Sequence, residues 1–281
     1  MTATDPTART TTPVPPRALP QAGPNLVARF EYPSTWSFSP SERWLRGVVG
    51  EVAIVDSRDQ ILVWEPKAKV PEYGFPLAQV RTDLLVETDA PPADRGFYRP
   101  RRPARTWYDL HVDGRIIRHA AWTWDIPELE GFIAVNWFHD VLDAWYEEDE
   151  RVITHPRDPC NRVDALPSSR HVVVSHDGRV IADSTDAVLV FETGLPTRYY
   201  LPRNDVDLTA LGASTTWSEC PYKGFATDYW TLPNAEGVDE DAAWSYPDPK
   251  YPVAPIAGRI AFFPERVQIT VDGVDVGTGR R

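Results

Sequence analysis

The stretch "VDSRDQILVWE" at residues 55–65 is written a second time as "ADSTDAVLVFE" at residues 182–192. Both copies carry an Asp-Ser pair, a short apolar run and a final glutamate, Glu65 and Glu192, 127 positions apart. Short runs of β-branched residues bounded by Gly, Pro, Asp or Ser are typical of strands. A repeat at a long, fixed spacing indicates a duplicated unit. The sequence therefore predicts two β domains of similar build.

Two further pairs of stretches support the duplication. "AAWTWDIP" at residues 120–127 is matched by "AAWSYPDP" at residues 242–249, and "GFIA" at residues 131–134 by "GRIA" at residues 258–261. The spacing is 122 positions for the first pair and 127 for the second. A changing offset is expected where duplicated domains keep their strands and differ in loop length.

Each copy is predicted to be mainly β with short helical turns. The stretch "RHVVVSHDGRVIADS" has two β-branched runs around Asp177 and Gly178, the pattern of a hairpin with a type I′ turn. The 28 prolines of the chain leave little room for long helices, so we expect only short helical turns, near "NDVDLTALG" and "APIAG". The predicted division is a disordered Thr/Pro-rich tail at residues 1–24, a degenerate first domain at 25–149 and a second domain at 150–281.

Charge and composition limit the classes of partner. The chain has 41 acidic and 29 basic residues, a formal net charge of -12, and phosphate backbones are bound by clustered Lys and Arg, so we expect no general nucleic-acid binding. One basic run, "RPRRPAR" at residues 99–105, is either a solvated Pro-rich connector or an anion-binding loop. No apolar run approaches the roughly 18 residues of a membrane span. The sequence indicates no oligomeric state.

The cysteines and the start of the chain indicate the compartment. The opening residues lack the basic start and apolar middle of a secretory signal, which favours a cytoplasmic protein with free thiols. Cys160 and Cys220 are the only cysteines and do not form C-x-x-C pairs, so a four-thiolate zinc site is excluded. A metal site from His155, Asp158 and His171 lacks a recognisable ligand spacing. We therefore predict no metal and no cofactor.

The two copies differ most around Cys220. An offset of 122 aligns "CPYKG" at residues 220–224 with "YRPRR" at residues 98–102, so the second copy has a thiol, a phenol and an amine where the first has a basic loop. Cys220, Tyr222 and Lys223 are the candidate catalytic residues, because a thiolate whose pKa is lowered by a neighbouring cation is a strong nucleophile. The alternative is that Cys220 is a small apolar residue of the core.

The second copy resembles a known family. The stretches "VIADS", "FETGLPTRYYLP", "CPYKGFATDYW" and "AAWSYPDP", in this order, are similar to the bacterial family called domain of unknown function 427. The first copy resembles a degenerate member, and "WYEEDERVITHPRDP" resembles the junction of the family's two-copy actinobacterial forms. The resemblance implies a β-tent fold, shared with methionine sulfoxide reductase B and the substrate-binding domain of cereblon. It implies no zinc, since the C-x-x-C pairs of such relatives are missing, and no established activity.

Other side chains of the second copy are candidate ligand-binding residues. Aromatic rings with polar tips line small-molecule pockets, although alternate rings along a strand also fill cores. Glu192 and Asp248 are candidate carboxylates, with strand-end and turn roles as the alternatives. In the junction, His155 and Arg157 either grip an anionic ligand or form a salt-bridged domain interface. The aromatic candidates are Tyr200, Trp230, Trp244 and Tyr246.

Three functions remain open from the sequence. The first is an enzyme of unknown reaction, or a binding protein, that takes a small polar or aromatic metabolite in a pocket of the second domain. The second is a non-catalytic protein-interaction module that presents the same aromatic residues on an exposed patch. The third is a nucleotidyltransferase-like activity, for which we find neither a Gly-rich phosphate loop nor a tight pair of metal-binding acids.

Overall fold

The structure is a computed structural model that describes residues 34–92, 104–137 and 141–277. The predicted tail at residues 1–24 and most of the basic run at residues 99–105 lie outside the described residues. Within them the chain is mainly β, with short 3-10 turns in place of longer helices, as the sequence predicts. The turns are Leu77–Gln79, Thr82–Leu84, Pro127–Leu129, Arg203–Asp205, Leu208–Ala210 and Tyr251–Ile256.

The first domain consists of a seven-stranded sheet and a four-stranded sheet. Its strands are β1 (Ser37–Pro40), β2 (Leu45–Val49), β3 (Val52–Ser57), β4 (Ile61–Trp64), β5 (Glu72–Pro76), β6 (Leu85–Thr88), β7 (Ala104–Val112), β8 (Arg115–Trp124), β9 (Phe132–Val135), β10 (Ala144–Glu147) and β11 (Glu150–Val152). The larger sheet has the order β1-β4-β5-β9-β8-β7-β6, and the smaller has the order β11-β10-β2-β3.

The second domain repeats this arrangement. Its strands are β12 (Val163–Ser168), β13 (Val172–His176), β14 (Arg179–Ser184), β15 (Ala187–Glu192), β16 (Arg198–Tyr200), β17 (Gly212–Ala213), β18 (Ser218–Cys220), β19 (Gly224–Ala226), β20 (Asp228–Pro233), β21 (Asp239–Ser245), β22 (Ile260–Phe262), β23 (Gln268–Val271) and β24 (Val274–Asp275). The sheets β12-β15-β16 and β22-β21-β20-β17 are joined by a bridge between Leu201 and Ile260. Together they reproduce the order of the seven-stranded sheet, and β24-β23-β13-β14 reproduces the smaller one.

One hairpin has no counterpart among the described strands of the first domain. Strands β18 and β19 pair only with each other and lie between β17 and β20 in the chain. The corresponding place in the first domain is the connection between β6 and β7, part of which lies outside the described residues. The hairpin contains Cys220 and therefore falls in the stretch where the two copies differ most in sequence.

The hairpin predicted around Asp177 and Gly178 is confirmed. Strands β13 and β14 pair from Val172 opposite Ser184 to His176 opposite Arg179. Asp177 has φ 48° and Gly178 has φ 76°. Positive φ at both central residues is the conformation that a type I′ turn requires.

The boundary between the domains lies a few residues later than the sequence indicates. Strand β11 pairs with β10 of the first domain, so this hairpin crosses the boundary that we placed between residues 149 and 150. Residues 153–162 then connect the last strand of the first domain to β12. We call residues 153–162 the junction.

Candidate functional site

One face of the larger sheet in the second domain carries the candidate site. Along β15, Val188, Val190 and Glu192 are alternate residues and therefore point to the same side. Strand β16 sets Arg198 opposite Val190 and Tyr200 opposite Val188. Residues opposite each other in an antiparallel pair share a face, so a carboxylate, a guanidinium and a phenol stand together on this side of the sheet.

The neighbouring strands and the β18–β19 hairpin complete this face. Trp244 and Tyr246 pack in the same apolar cluster as Tyr200, together with Ala226 of the hairpin. The Nε1 of Trp244 donates a hydrogen bond to the hydroxyl of Tyr200 at 3.2 Å. We use the name Cys220 cluster for the polar and aromatic residues of this face and its covering hairpin: Glu192, Arg198, Tyr200, Cys220, Tyr222, Lys223, Trp244 and Tyr246.

The turn that carries Cys220, Tyr222 and Lys223 is fixed by backbone contacts. The amide of Lys223 donates to the carbonyl of Cys220 at 3.3 Å, and the amide of Lys250 donates to the carbonyl of Lys223 at 3.0 Å. Gly224 follows with φ 98°, a conformation that residues with a side chain rarely adopt. The thiol of Cys220, the phenol of Tyr222 and the amine of Lys223 therefore project from one short segment with a constrained backbone.

Lys223 and Glu192 form an ion pair that is largely buried. The Nζ of Lys223 contacts the Oε2 of Glu192, and the two side chains are only 13% and 12% exposed. Asn161 Nδ2 lies 3.5 Å from the Oε1 of the same carboxylate. Burying two charges carries a desolvation cost that their attraction repays only in part. An ion pair in this position therefore contributes little net stability.

The three tyrosines of the cluster are held as neutral phenols. Burial raises the pKa of Tyr200, Tyr222 and Tyr246, and the nearby Cys220 and Glu192 raise each pKa further. A phenol that stays protonated at neutral pH offers a hydrogen-bond donor at the end of an apolar ring.

Arg198 is the residue of this face that the sequence analysis missed. Its guanidinium carbon lies 5.7 Å from the centre of the Trp244 ring. Its Nη1 is buried and has no hydrogen-bond partner among the described residues. The signal that could have found it is the alignment of "TRYYLP" with "PEYGFP", which sets an arginine against a glutamate.

Tyr222 connects the cluster to the junction and the first domain. Its hydroxyl accepts a hydrogen bond from the amide of Asp158 at 2.7 Å. The Oδ2 of Asp158 accepts a hydrogen bond from the Nε1 of Trp64 at 3.1 Å. The ring of His155 lies 6.1 Å from that of Tyr222, edge to face, and burial lowers the pKa of His155. His155 is thus near the cluster as a neutral side chain.

Arg157 faces the first domain and not the cluster. Its Nη2 and Nε lie 2.7 and 3.0 Å from the Oε2 of Glu147, whose side chain is buried, and its Nη1 also pairs with Glu150. Lys250 of the second domain pairs with Glu150 as well. Of the two roles proposed for Arg157, the contacts match the salt-bridged interface between the domains.

Two other predicted residues are not part of the cluster. Trp230 is next to Tyr229 in β20, so the two rings point to opposite faces. Tyr229 packs in the cluster's apolar surroundings, whereas Trp230 packs against the other core of the second domain, with Arg203 over its ring at 5.1 Å. The side chain of Asp248 is exposed, and its backbone carbonyl oxygen lies near Gly224. The prediction that Trp230 and Trp244 line the same site is therefore wrong, because the two rings lie on opposite faces of the sheet.

Comparison with known families agrees with the duplication. The family model described as Domain of unknown function (DUF427) matches residues 37–148 and again residues 164–273. The chain belongs to this family. Each DUF427 match covers one of the two domains described above, and the β18–β19 hairpin with Cys220 lies inside the second. No curated protein matches the chain.

The first DUF427 copy has indole rings on the corresponding face. Trp107, Trp122 and Trp124 pack together there with Leu129, where the second copy has Tyr229, Trp244 and Tyr246. The ring centres of Trp107 and Trp122 are 5.2 Å apart, and those of Trp122 and Trp124 are 6.2 Å apart. The face that carries polar groups in the second copy is thus mostly apolar core in the first.

The residues that replace Arg198 and Tyr200 in the first copy follow from strand register. Strand β5 sets Glu72 opposite Val63 and Gly74 opposite Ile61, the places of Arg198 and Tyr200. A Cβ on Gly74 would come within 3.2 Å of Ile61 and 3.3 Å of Val63, so this face has no room for a tyrosine. Burial, and then the charge of Glu65, raise the pKa of Glu72 well above its usual range.

Two cavities of the described residues lie away from the Cys220 cluster. One of about 480 Å³ is formed by the β13–β14 turn, the end of β20 and residues 265–268. Another of about 390 Å³ lies at the β7–β8 turn of the first DUF427 copy. Among the described residues, no three His, Cys, Asp or Glu side chains are grouped to hold a metal ion, and no helix is long and apolar enough to cross a membrane.

Proposed function

We propose that the second domain binds a small polar or aromatic metabolite at the Cys220 cluster, with Cys220 as the candidate nucleophile. The observation that carries this proposal is the buried Lys223–Glu192 ion pair beside Cys220. It stands on a sheet face that the first domain fills with tryptophan. Since buried ion pairs contribute little net stability, the presence of this pair favours a role in binding.

The side chains of the cluster suit a polar or aromatic ligand. The rings of Tyr200, Trp244 and Tyr246 supply flat apolar surface, and neutral phenols supply hydrogen-bond donors. Lys223 and Cys220 lie in the same backbone-bonded turn, so a cation and a thiol are carried by one short segment. Ligand entry from the hairpin side would pass Cys220 and Tyr222, which are only partly buried.

The test is the alkylation of Cys220 by iodoacetamide in the folded Cys160→Ser protein. The thiolate attacks the methylene carbon, a C–S bond forms and iodide leaves. We expect Cys220 to be labelled in the folded state, because its side chain is only partly buried.

The matched control is the Cys220→Ser protein, in which only the exposed Cys160 remains. Its labelling should follow an ordinary exposed thiol. If Cys220 reacts only after urea unfolds the protein, the thiol belongs to the core and the proposed site is wrong.

A protein-interaction module is the second candidate, supported by a different observation. Trp217 is 62% exposed and Phe225 is 45% exposed, and their ring centres are 6.5 Å apart on the β18–β19 hairpin. Exposed aromatic pairs of this kind occur at binding surfaces. Replacing both residues with serine would abolish a protein interaction and leave Cys220 alkylation unchanged.

A further inference from the structure

Arg198 indicates which chemical class the ligand belongs to. The geometry points to a carboxylate-bearing ligand, whose anionic group pairs with the Arg198 guanidinium of the Cys220 cluster. This inference rests on the proposed function and adds the ligand class to it.

The first step concerns the unused donors of Arg198. Buried polar atoms in proteins almost always have a hydrogen-bond partner, and the exceptions call for an explanation. The Nη1 of Arg198 is such an exception within the described residues. The nearest carboxylate along the sheet face, that of Glu192, is engaged by Lys223. A ligand carboxylate would supply the partner that the cluster does not.

The second step concerns position. Arg198 and Tyr200 are alternate residues of β16 opposite Val190 and Val188, on the side of the sheet where Glu192 pairs with Lys223 of the Cys220 turn. The guanidinium carbon of Arg198 also lies 5.7 Å from the centre of the Trp244 ring, a contact that holds it at this face. A planar guanidinium with free donors binds a carboxylate with two parallel hydrogen bonds.

The third step is the contrast with the first domain. Its sheet carries Glu72 where the second carries Arg198, and the Glu72 Oε2 is also buried with no partner among the described residues. A carboxyl at this position offers an anionic ligand neither the positive charge nor the paired donors of a guanidinium. The preference for a carboxylate is therefore expected of the second domain alone.

Two reagents of similar size and different charge test the inference on the full chain. Iodoacetate carries a carboxylate, iodoacetamide a neutral amide, and both alkylate thiols. Rates are measured separately for Cys220 and Cys160 in the same sample by mass spectrometry of their peptides. Cys160 is exposed and serves as the internal reference for the intrinsic reactivity of each reagent.

We expect the iodoacetate-to-iodoacetamide rate ratio at Cys220 to exceed that at Cys160 roughly tenfold, the factor that one hydrogen bond to a charged group provides. Arg198→Gln should abolish the preference, and Arg198→Lys should keep part of it, since the charge remains without the planar fork. Glu72→Gln, the matched change in the first domain, should leave the ratio unaltered.

The outcomes separate this inference from the function on which it rests. If Cys220 of the folded protein reacts with neither reagent, the proposed site itself fails. If Cys220 reacts with iodoacetamide but shows the same ratio as Cys160, the carboxylate class is wrong and the site remains. A preference that persists in Arg198→Gln contradicts the contact with Arg198. Should Arg198→Gln not fold, an unchanged ratio in Arg198→Lys also contradicts the bidentate contact.

Discussion

The two domains share a strand order and differ on one face of the larger sheet. In the first domain this face is filled by Trp107, Trp122 and Trp124. In the second domain the hairpin with Cys220 covers a face with an ion pair, an arginine and phenols. The comparison shows that a few side chains decide whether the same backbone surface becomes core or a polar cluster, because the fold itself is set by the strands around it.

The difference has a physical consequence for stability. Apolar rings in contact stabilise a domain through burial and dispersion, whereas buried charges contribute little net stability or reduce it. We therefore expect substitutions on this face to lower stability strongly in the first domain. In the second domain, removing a residue of the Cys220 cluster should lower stability only where the change leaves a charge or a hydrogen-bond donor unpaired.

The largest expected effect is at Trp122. Trp122→Ala should lower the free energy of unfolding by about 3 to 5 kcal/mol, because it removes a fully buried indole and leaves a cavity. Urea denaturation followed by circular dichroism measures it. Trp217→Ala, which removes an exposed indole, is the control and should change stability by no more than about 0.5 kcal/mol. Similar losses from the two substitutions would show that the first face is not a packed core.

The next effect concerns the buried ion pair. Lys223→Met should cost on the order of 3 kcal/mol, since the carboxylate of Glu192 would be left buried without its cation. Adding Glu192→Met should restore most of the loss, because the unpaired charge is then gone. The surface pair Arg81–Asp83 is the control, and Arg81→Met should cost at most about 1 kcal/mol. A double variant as unstable as Lys223→Met alone would contradict this account of the pair.

Glu72 should give a pH-dependent effect in the first domain. Its pKa is raised in the folded protein, so the folded state holds the proton more tightly than the unfolded chain. The resulting stability is present below the unfolded pKa of about 4.3 and is lost as pH rises through the folded value. Glu72→Gln should remove this loss, and its advantage over the wild type should grow from pH 4 to pH 8. Parallel stability curves for the two proteins would be evidence against a buried carboxyl.

The smallest effect is expected at the contact between the cluster and the junction. Tyr222→Phe removes the hydroxyl that accepts the Asp158 amide and should cost about 0.5 to 1.5 kcal/mol. Tyr251→Phe, at a ring that is almost fully exposed, should be neutral in the same thermal denaturation experiment. Equal effects at both positions would mean that the Asp158 contact does not hold the junction to the second domain.

Much of the fold could be predicted from the sequence because its signals are local. The repeated stretches, the Asp177-Gly178 turn and the short helical turns each depend on residues close in the chain. The alternation rule also explains why Tyr199 and Tyr200 face different cores. Applied in the same way to Tyr229 and Trp230, it would have excluded Trp230 from the cluster.

The site could be predicted only in part because its geometry depends on contacts between distant segments. Glu192 and Lys223 are both candidates from the sequence, yet their pairing depends on how the hairpin folds over the sheet. Arg198 takes its place through the register of β15 and β16, which is set by the turn between them. Asp158 reaches Tyr222 and Trp64 only because the junction passes between the domains.

The central claim is that the polar face of the second domain serves ligand binding and lowers the stability of that domain. The most direct test is the free energy of unfolding of Arg198→Met at pH 7, by urea denaturation. Methionine retains apolar volume against Trp244 and removes a buried donor without a partner among the described residues. We predict that the variant is more stable than the wild type by on the order of 1 kcal/mol. A loss of 1 kcal/mol or more would show that Arg198 is a structural residue and would contradict the account.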